Sequence, residues 1–224
     1  MRKEIHEFEG LKYIISYPSN YNENQKCPTI LFLHGAGSRG EDITQLKSNP
    51  YFLITDKLDD FSFITIAPQC NLNTWFDVFE SLKKFVLNIM KFDFVDTDKF
   101  YLMGASMGGY AVWQLAISMP ECFSAIVPIC GGGMYWNAGR LTGVPIWAFH
   151  GQKDTTVFVD ESKKMVDAVN NAGGNARLTI YPGNGHDAWS DTYSNIGLYE
   201  WLLSKTKNET ETVVDSFNNN RLFG

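Results

Sequence analysis

Cysteine, basic runs and long apolar stretches are what this sequence has least of. Its four cysteines are Cys27, Cys70, Cys122 and Cys130, and no two stand in C-x-x-C spacing. That argues against a zinc or thioredoxin-type centre, and free thiols buried in a core are expected instead of a disulfide framework. No basic run occurs and the net charge is −6, which excludes nucleic acid as the expected partner. No stretch approaches the ~20 apolar residues of a membrane helix, so no membrane partner is expected. The first residues, Met1-Arg2-Lys3-Glu4, run into a polar, strand-like segment with no apolar leader core. A cytoplasmic location is the expectation from that start.

What is present suits a globular protein. Apolar residues make up 44% and charged residues 20% of 224, enough for a three-layer core. We expect one domain over residues 1–206 and a polar tail over 207–224. Val213, Val214, Phe217, Leu222 and Phe223 interrupt that tail. They are expected to dock on the body or on a second subunit, which allows a homodimer.

Strand and helix signals alternate along the body. Residues 3–9 and 11–17 flank Gly10 and read as a hairpin, with Leu11, Tyr13, Ile15 and Tyr17 at period two. Apolar runs at 29–33, 61–67, 100–103, 125–129 and 144–149 read as buried strands, and 177–181 reads as the last strand. Between them, residues 76–91 carry Phe79, Leu82, Phe85, Val86, Ile89 and Met90 at helical spacing. Further helices are expected over 110–119, 159–172 and 196–204. This alternation predicts an α/β protein with a mostly parallel sheet of about eight strands flanked by helices. In such open sheets the functional edge lies at the carboxyl ends of the strands.

Four chemically loaded segments fall just past strand ends. The first is His34-Gly35-Ala36-Gly37. The second is Gly104-Ala105-Ser106-Met107-Gly108, a G-x-S-x-G match at a strand-to-helix junction. Its glycines two residues either side of Ser106 remove clashes in a tight turn. The third ends in Asp154, within His150-Gly151-Gln152-Lys153-Asp154, and the fourth is Gly185-His186. Among the four histidines, His6 lies in the first hairpin, while His34 and His150 precede glycines and read as structural groups that bond loop backbone. Among the acids, Asp160 is explained as a helix-start residue, and Asp187 and Asp191 lie beside or beyond His186.

On these segments, and on the order Ser106, Asp154, His186, the chain resembles the α/β-hydrolase superfamily over most of its length. Within that superfamily it is similar to the carboxylesterase and peptidase branches near the phospholipase/carboxylesterase and dienelactone-hydrolase groups. The resemblance implies Ser106 as nucleophile, His186 as base and Asp154 as the acid that orients it. It implies backbone N–H donors from Ala36 and Met107 for an oxyanion. The implied chemistry is hydrolysis of carboxylic esters with no cofactor and no metal. A serine peptidase or thioesterase using the same three residues, or a binding protein on the scaffold, are the alternatives.

Two further features shape the expected site. Trp75 and Trp189 fall in loops at the active edge and are candidates for its walls, with Tyr135 and Trp136 nearby. Gly131-Gly132-Gly133 reads as a flexible loop. The segment from Gly131 to Gly143 has thirteen residues, too few for the inserted cap of many lipases. An open site without a cap favours short acyl esters, including acetyl or cinnamoyl groups, or an ester carried on a polysaccharide.

Overall fold

The computed structural model describes residues 1–207. The tail residues expected to dock on the body lie outside them. Strands β1 (Arg2–Phe8) and β2 (Leu11–Tyr17) form the hairpin, turning at Glu9 and Gly10. Both turn residues have positive φ, 48° and 83°, as a tight two-residue turn matching the strand twist requires.

The remaining strands are β3 (Cys27–Leu33), β4 (Ile64–Pro68), β5 (Val95–Ala105), β6 (Ala125–Ile129), β7 (Ile146–Gly151) and β8 (Ala176–Tyr181). They lie in the order β1-β2-β4-β3-β5-β6-β7-β8 in one sheet. Pairs β1–β2 and β2–β4 are antiparallel, and every other pair is parallel.

Period-two alternation divides the side chains between two cores. Leu31, Leu33, Phe100 and Leu102 join the core beneath helices α2 (Phe79–Ile89), α3 (Met107–Ser118) and α4 (Asp160–Asn171). Ile30, Phe32, Tyr101 and Met103 face α1 (Pro50–Thr55), α5 (Trp189–Tyr193) and α6 (Ile196–Leu203). The central strands are therefore apolar on both sides, which is why the sequence shows continuous runs there, whereas the edge strands β1 and β8 are partly exposed.

Helix α3 starts three residues earlier than its composition suggests. Its first turn holds Gly108 and Gly109, poor helix formers that read as loop. Both are there for close packing. A Cβ on Gly108 would overlap the Leu33 carbonyl, and one on Gly109 would lie 2.5 Å from Ile129 O. The head of α3 is thus wedged between β3 and β6.

Gly131–Gly133 is a correction: it is a packed junction, and the flexible reading does not hold. A Cβ on Gly131 would come within 2.5 Å of the Gly109 backbone, and one on Gly132 within 2.8 Å of Glu161. From there a short 3-10 turn, Tyr135–Leu141, leads into β7. The connection carries no cap domain. Among the described residues, no helix is long and apolar enough to cross a membrane.

Candidate active site

Ser106 sits between β5 and α3 with φ 56° and ψ −120°. Such backbone is strained for any residue with a Cβ and is held only where the surroundings over-determine it. Here they do. A Cβ on Gly104 would lie 2.7 Å from both Leu33 O and Gly108 O, so only glycine lets the chain turn this sharply. The Ser106 N–H donates to Ile129 O at 2.9 Å, and Tyr110 N–H donates back to Ser106 O at 3.1 Å.

The three side chains singled out from strand ends are brought together. Ser106 Oγ lies 2.8 Å from His186 Nε2, and His186 Nδ1 lies 2.7 Å from Asp154 Oδ2. Asp154 follows β7, and His186 lies beyond β8 on the neighbouring strand. The other carboxylate oxygen, Oδ1, accepts the N–H groups of Thr156 and Val157, each at 2.9 Å. Burial alone would raise the Asp154 pKa. The His186 hydrogen bond and those two backbone donors outweigh it and hold the carboxyl below its ordinary range.

Ser106 and His186 open onto a cavity of about 650 Å³ lined also by Gly35, Ala36, Trp189 and Thr156. Gln45, Ser48, Asn49 and Pro50 also line it. These arrive on a 3-10 segment, Ile43–Ser48, and on the start of α1, where Asn49 caps the helix by accepting from Tyr51 N–H. Trp189 stands edge-on to the His186 ring, with centroids 5.0 Å apart and planes at 85°. Ala36 lies in the loop after β3, and Met107 opens α3 after the adjacent strand β5. A Cβ on Gly35 would fall 3.3 Å from Ala105 O, so the loop carrying Ala36 packs directly on the Ser106 turn.

Trp75 does not wall the cavity, contrary to the expectation from its loop position. It is fully buried, its indole N–H donates to His34 O at 2.9 Å, and its ring lies 4.9 Å from the His34 ring. A buried indole needs a partner for its N–H, and the carbonyl at the end of β3 supplies one. Trp75 supports the loop from below. Tyr135 and Trp136 are exposed at 51% and 73%, and neither lines the cavity at Ser106.

His34 and His150 bond backbone, as their positions suggested. His34 Nε2 accepts from Cys70 N–H at 2.9 Å, and burial lowers its pKa to about 4. Arg39, to which the sequence assigned no role, braces the same loop. Its guanidinium donates to Ala36 O at 2.9 Å and to Asn73 O at 2.7 Å. No motif marks Arg39, Gln45 or Ser48, while the Asn49 side chain accepts from Tyr51 N–H and donates to Ser38 Oγ.

All four cysteines are free thiols. Among the described residues, Cys130, His150 and Asp154 place ligand-type atoms within 4.8 Å of one another. Each is already engaged: Cys130 S–H donates to His186 O at 3.3 Å, and burial pushes its thiol up to about 12. His150 is bonded to Ser162 and Val157, and Asp154 to His186, so the three groups form part of a protein hydrogen-bond network.

The sheet order, the strained serine after its central strand and the acid and histidine after the next strands define an α/β-hydrolase. Residues 58–217 match the Dienelactone hydrolase family, and the chain belongs to that family. It is similar to Feruloyl esterase D of Neurospora crassa, 26% identical over 186 residues, which cover 78% of this chain and 64% of that protein. Among solved structures it is similar to a thermostable esterase, with 28% identity and a TM-score of 0.77, over 92% of this chain and 63% of the other. Est1E from Butyrivibrio proteoclasticus shares the fold at 16% identity, with a TM-score of 0.70 over 91% of this chain and 99% of its own. The chain thus spans about two-thirds or less of the first two relatives' lengths.

Proposed function

We propose that this chain hydrolyses carboxylic esters through an acyl-enzyme on Ser106. The observation that carries the reading is the continuous path from Ser106 Oγ through His186 to Asp154, opening on a cavity of about 650 Å³. His186 Nε2 takes the Ser106 proton as Oγ attacks the ester carbonyl, and Asp154 stabilises the imidazolium that forms. The oxyanion is held by the backbone N–H groups of Ala36 and Met107. His186 then protonates the departing alcohol, and water repeats the sequence to free the acid.

The substrate class we propose is an ester of an aromatic, cinnamoyl-type acid carried on a polysaccharide. Two features support it. Pro50 and Trp189 give the cavity apolar walls while Gln45, Ser48 and Asn49 add polar groups suited to a substituted ring. A relative bears the name feruloyl esterase. The working unit is residues 1–206, with 207–224 as an appended tail, and the four unpaired cysteines fit a reducing, cytoplasmic setting.

Assays on p-nitrophenyl acetate, longer p-nitrophenyl esters, methyl ferulate and an aminoacyl-anilide test the reading. Hydrolysis of methyl ferulate above the other substrates is expected, and the anilide should remain intact. Ser106→Ala should lose roughly 10⁴-fold or more in kcat. Unchanged turnover in that variant would sink the serine mechanism.

A further inference from the structure

His150 lies near the end of β7, is fully buried, and has no part in the steps above. Yet both of its ring nitrogens face polar groups. Nδ1 lies 2.7 Å from Ser162 Oγ, in the first turn of α4, and the same oxygen lies 2.9 Å from Gly131 O. Nε2 lies 2.9 Å from Val157 O and 3.3 Å from Asp154 Oδ2, the oxygen that also meets His186.

The protons along this path can be counted. Gly131 O at one end, and Val157 O with the ionised Asp154 at the other, can only accept. Ser162 and a neutral imidazole bring one proton each. With the ring proton on Nδ1, a bare lone pair on Nε2 would face a carbonyl and a carboxylate in a fully buried site. With the proton on Nε2, both acceptors are served and Ser162 gives its own proton to Nδ1. The cost is the Ser162 donation to Gly131 O, one neutral contact given up against two at Nε2, one of them to a charged carboxylate. A doubly protonated ring would fill every link, but burial drives the imidazole below its ordinary range despite the Val157 and Asp154 contacts that favour the charged form.

We infer that His150 is a positioning residue for Asp154: a neutral imidazole, set in the Nε2–H tautomer by Ser162, that shares the carboxylate with His186. The inference rests on the reading of Asp154 as the acid of the hydrolytic site. Asp154 is then fixed from every side, with two backbone N–H groups on Oδ1 and two imidazoles on Oδ2. Among the described residues its other ionisable neighbours are Cys130, from β6, and Tyr110, from α3, both of which burial keeps protonated. The His150 N–H draws on the carboxylate's charge and so tempers its pull on the His186 imidazolium. Without that donor, the Asp154–His186 pair holds its proton more tightly.

Long-range ¹H–¹⁵N correlation spectra of the full chain, labelled at histidine, read the tautomer directly. His150 is expected to show a protonated Nε2 and a bare Nδ1 from about pH 6 to about pH 9. In kinetics, His150→Phe should lower kcat roughly 10- to 100-fold, by analogy with loss of an outer partner at a metal site, with KM changed less than about twofold. It should also move the acid limb of the kcat/KM profile up by about half a pH unit. His150→Gln, whose amide can still donate toward Asp154, should recover part of both effects. A wild-type ring protonated at Nδ1, or doubly protonated, overturns the inference. So does a folded His150→Phe whose acid limb has not moved. The spectrum needs no turnover and decides the matter if the variant does not fold. It is also independent of whether Ser106→Ala upholds the ester reading.

Discussion

Ser106 combines the proposed nucleophilic hydroxyl with strained backbone. Its φ of 56° costs a residue with a Cβ about 1–3 kcal/mol, which the fold tolerates because Gly104 and Gly108 let β3, β5 and α3 close around it. Ser106→Gly removes both the hydroxyl and the strain. It should be inactive yet more stable than the parent by about 1 kcal/mol in urea unfolding; equal or lower stability would argue against stored strain. The sequence made this residue legible because the elbow needs glycine at two fixed offsets, a constraint written in residue type. It misplaced Trp75 because a tryptophan in a loop reads the same whether its ring turns outward to a ligand or inward to the His34 carbonyl.

At the scale of elements, the strands were legible and the helix starts less so. Runs such as 125–129 matched their strand to the residue, because burial on both faces leaves no polar position inside the strand. Helix α3 was read short because packing against Leu33 and Ile129 overrides the low helix propensity of Gly108 and Gly109. Helix α1 was missed although Asn49-Pro50 is a start signal. Its six residues are too few to show a period. The loop after β3 depends on Arg39, which ties Ala36 O to Asn73 O. Arg39→Ala is expected to lower kcat roughly 10-fold, through misplacement of the proposed oxyanion donor at Ala36. KM for p-nitrophenyl acetate should barely change, and a rise in KM with kcat unchanged would place Arg39 in ground-state binding instead.

For the molecule as a whole, buried histidines set how it responds to acid. His34 is held at about 4 against an ordinary value of 6.5, so between those values the unfolded chain binds the extra proton and the folded chain does not. Stability is therefore full above about pH 6.5 and falls as pH drops toward 4. His150, lowered for the same first reason of burial, acts in the same direction. Asp154, whose carboxyl is also held low, adds a loss at still lower pH. Urea unfolding at about pH 5 should give a stability roughly 2 kcal/mol below that at about pH 7 from His34 alone. His34→Gln should flatten that part of the slope, and an unchanged slope would mean His34 titrates normally.

The short bridge from β6 to β7 has a consequence for how this scaffold can change. Its exposed turn, bearing Tyr135, Trp136 and Asn137, joins two strands whose pairing does not involve it. Loop closure grows costlier only slowly with length, so new sequence can be spliced there without redrawing the sheet. A flexible segment of about 20 residues inserted after Asn137 should cost about 1 kcal/mol or less in urea unfolding, and p-nitrophenyl acetate turnover should persist. The turn is the natural graft point for a lid, and a designer wanting a gated version of this scaffold would begin at that splice.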